Sequence, residues 1–118
     1  MNQEIKEKWL EALRSGDYEQ GKYCLSSEGK YCCLGVLCDI AIKEGVTIKT
    51  ETKPQDADED PRKYKLFDGQ KSYLPGSVMN WAGLESQDPT IEDNDLSEHN
   101  DDYEKDFKKI ADLIEKHL

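Results

Sequence analysis

Residues 32–41 read Cys32-Cys33-Leu34-Gly35-Val36-Leu37-Cys38-Asp39-Ile40-Ala41, a run interrupted by a single charge and followed by Ile42-Lys43-Glu44 and then Gly45. It is longer than the roughly 4–8 residues of a buried strand, and its closing glycine suits the left-handed position after a helix. We read it as a buried central helix. Upstream, residues 3–14 place Ile5, Trp9, Ala12 and Leu13 on one helical face, with Asn2 as N-cap and Gly16 beyond the end. Between these helices the chain is rich in tyrosine and broken at Ser26-Ser27-Glu28-Gly29, which predicts a hairpin of strands over 18–25 and 30–32.

Downstream, VTIKTE at 46–51 alternates apolar and polar residues and predicts a strand, while 53–63 (KPQDADEDPRK) is a charged, proline-bounded loop expected to be mobile. Residues 64–67 and 71–74 flank Asp68-Gly69, a pair suited to a type I′ turn, and predict a second hairpin. Pro75 opens a short helix that ends at Gly83, with Val78, Trp81 and Ala82 at helical spacing and the Trp81 indole expected in the core. A last helix is expected from near Asp102, with Tyr103, Phe107, Ile110, Ala111 and Ile114 on its apolar face and Lys116 and His117 in its last turn. The expectation is an α+β fold: one small domain over 1–118, helices at both ends, a buried central helix and short antiparallel hairpins.

The chain has 118 residues, 26 Asp plus Glu against 16 Lys plus Arg, and 36% hydrophobic residues. Its mean hydropathy is -0.90. No apolar stretch approaches the roughly 20 residues that span a bilayer, and the opening MNQEIKEKWL is a charged helical pattern rather than a signal peptide. A cytoplasmic protein without a membrane partner is expected. The net charge of -10 repels phosphate backbones, so direct nucleic-acid binding is disfavoured. That charge is local. The segment 85–104 holds nine acids and no Lys or Arg, leaving 17 acids against 16 bases elsewhere, a net of -1.

The pattern Trp9-x3-Leu13-Arg14-Ser15-Gly16-x-Tyr18-x-Gln20, then Tyr31-Cys32-Cys33-Leu34-Gly35-Val36-Leu37-Cys38-Asp39, resembles a family of short proteins encoded by phages and prophages. Leu74-Pro75-x2-Val78-x2-Trp81-Ala82-Gly83-Leu84 and the closing Leu96-x3-Asn100-Asp101 with Phe107-x2-Ile110-Ala111-x2-Ile114 are similar to that family too. The resemblance brings no reaction, substrate or catalytic residue. It implies a setting: a viral accessory gene expressed in the cytoplasm of an infected bacterium.

The cysteines Cys24, Cys32, Cys33 and Cys38 form C-x7-CC-x4-C, which lacks the two close ligand pairs of structural zinc sites. They read as buried thiols, and no cofactor or metal is expected. Cys32 or Cys33 with His99 is the one Cys/His pairing that could make a nucleophile, against the simpler reading of His99 and His117 as surface residues. Asp93, Asp95, Ser97 and Glu104 fall at positions 1, 3, 5 and 12 of a calcium loop, but Glu98 stands where the turn glycine belongs. Asp39 is either an ion-pair partner of Lys43 one turn on, or an orienting and ligand-binding group.

Binding candidates concentrate in Arg14, Tyr18, Gln20, Tyr23 and Tyr31, together with Asp39, because Arg and Tyr recur at interface hot spots and at stacked, phosphate-bearing ligands. Tyrosines packing a small sheet are the competing reading. The first functional expectation is a non-enzymatic phage accessory protein that binds and inhibits or redirects a host protein, in counter-defence. The acidic stretch would steer it to a basic partner, as in nucleic-acid mimicry. The alternative is a sponge that sequesters a host nucleotide signal in a pocket of Arg14, Tyr18 and Gln20, across a homodimer. A Cys-dependent enzyme is the third.

Overall fold

The apolar run forms α2 (Cys33–Lys43), and Cys32 caps it, its Sγ accepting from the Gly35 N–H at 3.4 Å. Eight of its eleven residues are buried. A helix apolar on all sides needs cover all round. It is packed by α1 (Gln3–Ser15), α3 (Gly76–Ala82), α4 (Leu96–Asp101) and the edge of a small sheet, while α5 (Phe107–His117) lies along α1. This computed structural model describes residues 1–54, 62–103 and 105–118.

Trp9 is fully buried, and its Nε1–H donates to the Cys33 carbonyl at 3.0 Å, which fixes α1 against the first turn of α2. Gly35 marks the closest approach. A Cβ there would stand 1.8 Å from the Leu25 carbonyl oxygen, so α2 rests directly on the backbone of the preceding segment. Asn2 and Gly16 cap α1 as expected, Asn2 Oδ1 accepting from the Ile5 N–H at 3.0 Å and Gly16 taking φ 81°.

The sheet holds β1 (Glu19–Gln20), β2 (Ser26–Ser27), β3 (Lys30–Tyr31), β4 (Thr50–Pro54) and β5 (Lys63–Phe67) in the order β1-β3-β2-β5-β4. β2 and β3 form the tight hairpin, turning at Glu28 (φ 51°) and Gly29 (φ 79°). The expected strand over 18–25 is not continuous. Its start becomes β1, which pairs with β3 in parallel rather than antiparallel, and the chain then swings outward through Tyr23 (φ 69°) before entering β2.

The second hairpin is half formed. Phe67 and Gln70 exchange N–H···O bonds at 3.0 Å across Asp68 and Gly69, both at positive φ. Beyond Gln70 the expected strand over 71–74 is missing because β5 already has β2 on one edge and β4 on the other. β4 starts at Thr50 rather than Val46: the Val46 N–H is held by the Ala41 carbonyl and the Lys49 N–H by Asp68 Oδ1 at 2.8 Å, which keeps 46–49 out of the ladder. β4 also takes in Lys53 and Pro54 from the expected loop; residues 55–61 of that loop lie outside the described residues.

In α3 the buried residues are Val78 and Ala82, and Trp81 sits half-buried on the rim of the core instead of inside it. The acid-rich segment is structured: β6 (Thr90–Ile91) pairs with β7 (Asn94–Asp95), and α4 follows at once. The last helix therefore begins at Phe107 with Asp106 as its cap, and Tyr103 is exposed rather than on its apolar face. Among the described residues no helix is long and apolar enough to cross a membrane.

Candidate functional site

The candidates singled out by sequence fall in three separate places. Arg14 projects from α1 onto α5, its Nη2 lying 2.8 Å from Asp112 and 3.0 Å from Glu115 in an exposed cross-link. Tyr18, Tyr31 and Asp39 form a second group with Lys43. The Tyr18 hydroxyl donates to Asp39, Lys43 Nζ donates to the same hydroxyl at 3.2 Å and lies 3.1 Å from Asp39, and the Tyr18 and Tyr31 rings meet edge to face at 5.3 Å. Partial burial and the bond to Asp39 push the Tyr18 phenol up; the contacts with Tyr18 and Asp39 hold Lys43 well above its ordinary value. The group satisfies its own charges. Asp39 thus pairs with Lys43 and positions Tyr18.

Gln20 and Tyr23 lie in the third place, and among the described residues of one chain the side chains of Arg14, Tyr18 and Gln20 engage different partners. Their surroundings depend on Asn100, which is fully buried at the end of α4. Asn100 Oδ1 accepts from Gln20 Nε2 at 2.9 Å and from the Cys33 N–H at 3.3 Å, and Asn100 Nδ2 donates to the Gly21 carbonyl and to Asp101 Oδ1, each at 2.8 Å. Gln20 Nε2 donates further to the Lys105 carbonyl at 2.8 Å. The Tyr23 N–H donates to Asp101 Oδ1 at 3.0 Å and the Tyr23 carbonyl accepts from Ser72 Oγ at 3.1 Å. One buried amide and its neighbour thus hold the whole loop 20–23 against α2 and α4.

That loop forms one wall of a cleft of about 520 Å³. Among the described residues, Lys22, Lys30, Arg62 and Lys71 line it together with one carboxylate, Glu28. Glu28 Oε1 accepts from the Lys63 N–H at 2.8 Å, which fixes it as part of the wall. Lys71 is held over the Tyr64 ring at 4.5 Å, and Lys30 lies 3.8 Å from Glu19 at the surface. The Cys24 thiol lines the cleft; burial raises its pKa, opposed by Lys71. Chemically this is a cationic recess with the exposed Tyr23 among its lining residues, suited to an anion.

The four cations were not singled out in the sequence because they are scattered in it. Lys22 and Lys30 flank tyrosines already noted, whereas Arg62 and Lys71 arrive through the β2–β5 pairing, which brings Ser26 opposite Lys65 and Ser27 opposite Tyr64.

His99 is buried, which corrects its reading as a surface residue. Its Nε2 lies 2.8 Å from the Ile91 carbonyl, which only accepts, so Nε2 carries the proton and Nδ1 accepts from Lys105 Nζ at 2.9 Å. Both ring nitrogens are engaged structurally, and the Cys33 thiol points instead to the Leu96 carbonyl at 3.7 Å. Burial pushes the Cys32 thiol up to about 12 and lifts Cys33 and Cys38 well above the usual thiol range, the reverse of an activated nucleophile. Of the calcium-loop positions, Asp95 and Glu98 form a capping box on α4, and Glu104 lies outside the described residues. Among the described residues no group of three or more His, Cys, Asp or Glu is placed to hold a metal ion.

Residues 1–118 match the model of a family described as a domain of unknown function, DUF8296, and the chain belongs to that family. No curated protein and no solved structure matches it.

Proposed function

We propose that this member of a family without an assigned activity is a non-enzymatic binding protein that captures a phosphate-bearing small molecule in its cationic cleft. The observation that carries the reading is the concentration of Lys22, Lys30, Arg62 and Lys71 around one recess in a chain of net charge -10. Cations gathered against the overall charge act on a ligand that enters the recess, while the chain's net negative charge disfavours a long phosphate backbone. The volume of about 520 Å³ fits a molecule of a few hundred daltons. With the setting implied by the resemblance, this is a phage protein that removes a host metabolite or signal from circulation.

A melting-temperature screen of phosphate-bearing small molecules at low salt tests it. A ligand at about 100 times its Kd stabilises by about 2.7 kcal/mol, and the effect of this one should weaken as salt rises. A flat profile across the screen counts against the reading.

The second reading, capture of a host protein in counter-defence, draws on Glu85, Glu92, Asp93 and Asp102, the acids of the 85–103 stretch that remain exposed. Specific retention of a host protein on the immobilised chain at low salt, lost when these acids are reversed, would favour it.

A further inference from the structure

Resting on the cleft reading above, we infer that the ligand carries a planar aromatic base as well as phosphate, and that Tyr23 is the platform on which the base stacks.

Tyr23 is unusual in two respects at once. Its backbone lies at φ 69°, a conformation that costs a side-chain-bearing residue free energy and that glycine adopts freely. Its ring is 65% exposed, so burial does not repay that cost. The strain is imposed from outside the ring: Asp101 takes the Tyr23 N–H, Ser72 donates to its carbonyl, and Asn100 holds the neighbouring Gly21 carbonyl. The backbone that carries this flat ring beside the cleft is thus held by hydrogen bonds that make no use of the ring itself. Such strain persists where the surroundings over-determine it, and it concentrates at ligand-binding positions.

The residues that share the recess with Tyr23 narrow the ligand. Lys22 adjoins it in sequence, and Lys30, Arg62 and Lys71 line the same recess. A phosphate drawn to those cations leaves the remainder of the molecule at the lip, where an aromatic face stacks on a planar base whatever its hydrogen-bonding pattern. A sugar phosphate or an inorganic polyphosphate satisfies the cations and leaves Tyr23 without a role. A mononucleotide or a cyclic dinucleotide uses both.

The test is calorimetric titration of the full chain with the four ribonucleoside diphosphates and with pyrophosphate, which carries the same phosphates without the base. At least one nucleotide should bind about tenfold tighter than pyrophosphate or better, the margin that stacking of one base supplies. Tyr23→Gly, which suits the observed φ and leaves the loop unstrained, should erase that margin while pyrophosphate affinity stays the same; Tyr23→Phe should keep it. Equal affinity for pyrophosphate and every nucleotide overturns the stacking inference and leaves the phosphate cleft standing. A margin that survives in Tyr23→Gly overturns the role of Tyr23. Absence of all binding overturns both this inference and the reading on which it rests.

Discussion

The acid-rich segment 85–103 and the scattered cations of the cleft exchange importance between sequence and structure. In sequence the acids dominate a stretch without a single Lys or Arg, and the cations are unremarkable. In the fold many of the acids serve the backbone. Asp88 accepts from the Ser97 N–H at 3.0 Å and from its hydroxyl, Asp95 and Glu98 cap α4, and Asp101 anchors Tyr23. The cations converge on one recess. A run of like charge is therefore a poor guide to a functional surface when its members alternate with helix caps and turn residues. Four separated lysines and arginines are a better one once the strands that carry them are paired.

Asn100 joins the two regions, so its removal should break the comparison most severely. Asn100→Leu keeps the volume but leaves the buried Cys33 N–H without its acceptor and takes one partner each from the Gly21 carbonyl and the Gln20 amide. Chemical denaturation should show a loss of about 3 kcal/mol or more, several buried hydrogen bonds failing together. The melting temperature should fall by roughly 10 °C. Preserved stability would show that α4 and the cleft wall are held independently.

Reversing cleft charges should separate binding from folding. The double variant Lys30→Glu, Lys71→Glu should lower affinity for a phosphate-bearing ligand about 100-fold, by loss of charge-assisted contacts. Its denaturation midpoint should barely move, because the Lys30–Glu19 pair is exposed and weak. Equal binding by the double variant and the parent would place the ligand elsewhere.

Asp88 tests the structural use of the acids through pH. Burial raises its pKa above the ordinary value of 3.8, so the folded state holds the proton more tightly than the unfolded chain. Its contribution is full below about pH 3.8 and is lost as pH rises through the raised folded value. The stability of the parent relative to Asp88→Asn, whose amide oxygen still accepts from Ser97, should therefore decline as pH increases over that window. A pH-independent difference would show that Asp88 is solvated like a surface acid.

The smallest effect belongs to the acids left at the surface. Glu85→Lys and Asp102→Lys should each change stability by less than about 0.5 kcal/mol and leave small-molecule binding intact. A large loss of host-protein capture in these same variants would revive the acidic-surface reading.

The elements that could be read from sequence were those whose pattern is long and apolar. α1, α2 and the caps Asn2 and Gly16 follow from periodicity and local backbone chemistry. α4 was missed because its six residues, Leu-Ser-Glu-His-Asn-Asp, bury one leucine and then His99 and Asn100, polar groups whose burial depends on partners far away in the chain. The parallel pairing of β1 was missed because two-residue strands carry no period. For the site, Gln20 and Tyr23 stood in the segment that attracted notice, but Arg14 went to α5 and Tyr18 to Asp39, since a sequence shows which groups can bind a ligand and not which of them the fold has already paired.

The measurement that bears most directly on the cleft as a capture site is native mass spectrometry of the parent chain and the Lys30→Glu, Lys71→Glu variant, each purified gently from bacterial cells. The parent should carry a retained small molecule whose fragmentation yields phosphate, and the variant should appear ligand-free. Identical spectra for the two proteins, both bare or both loaded, would contradict the account.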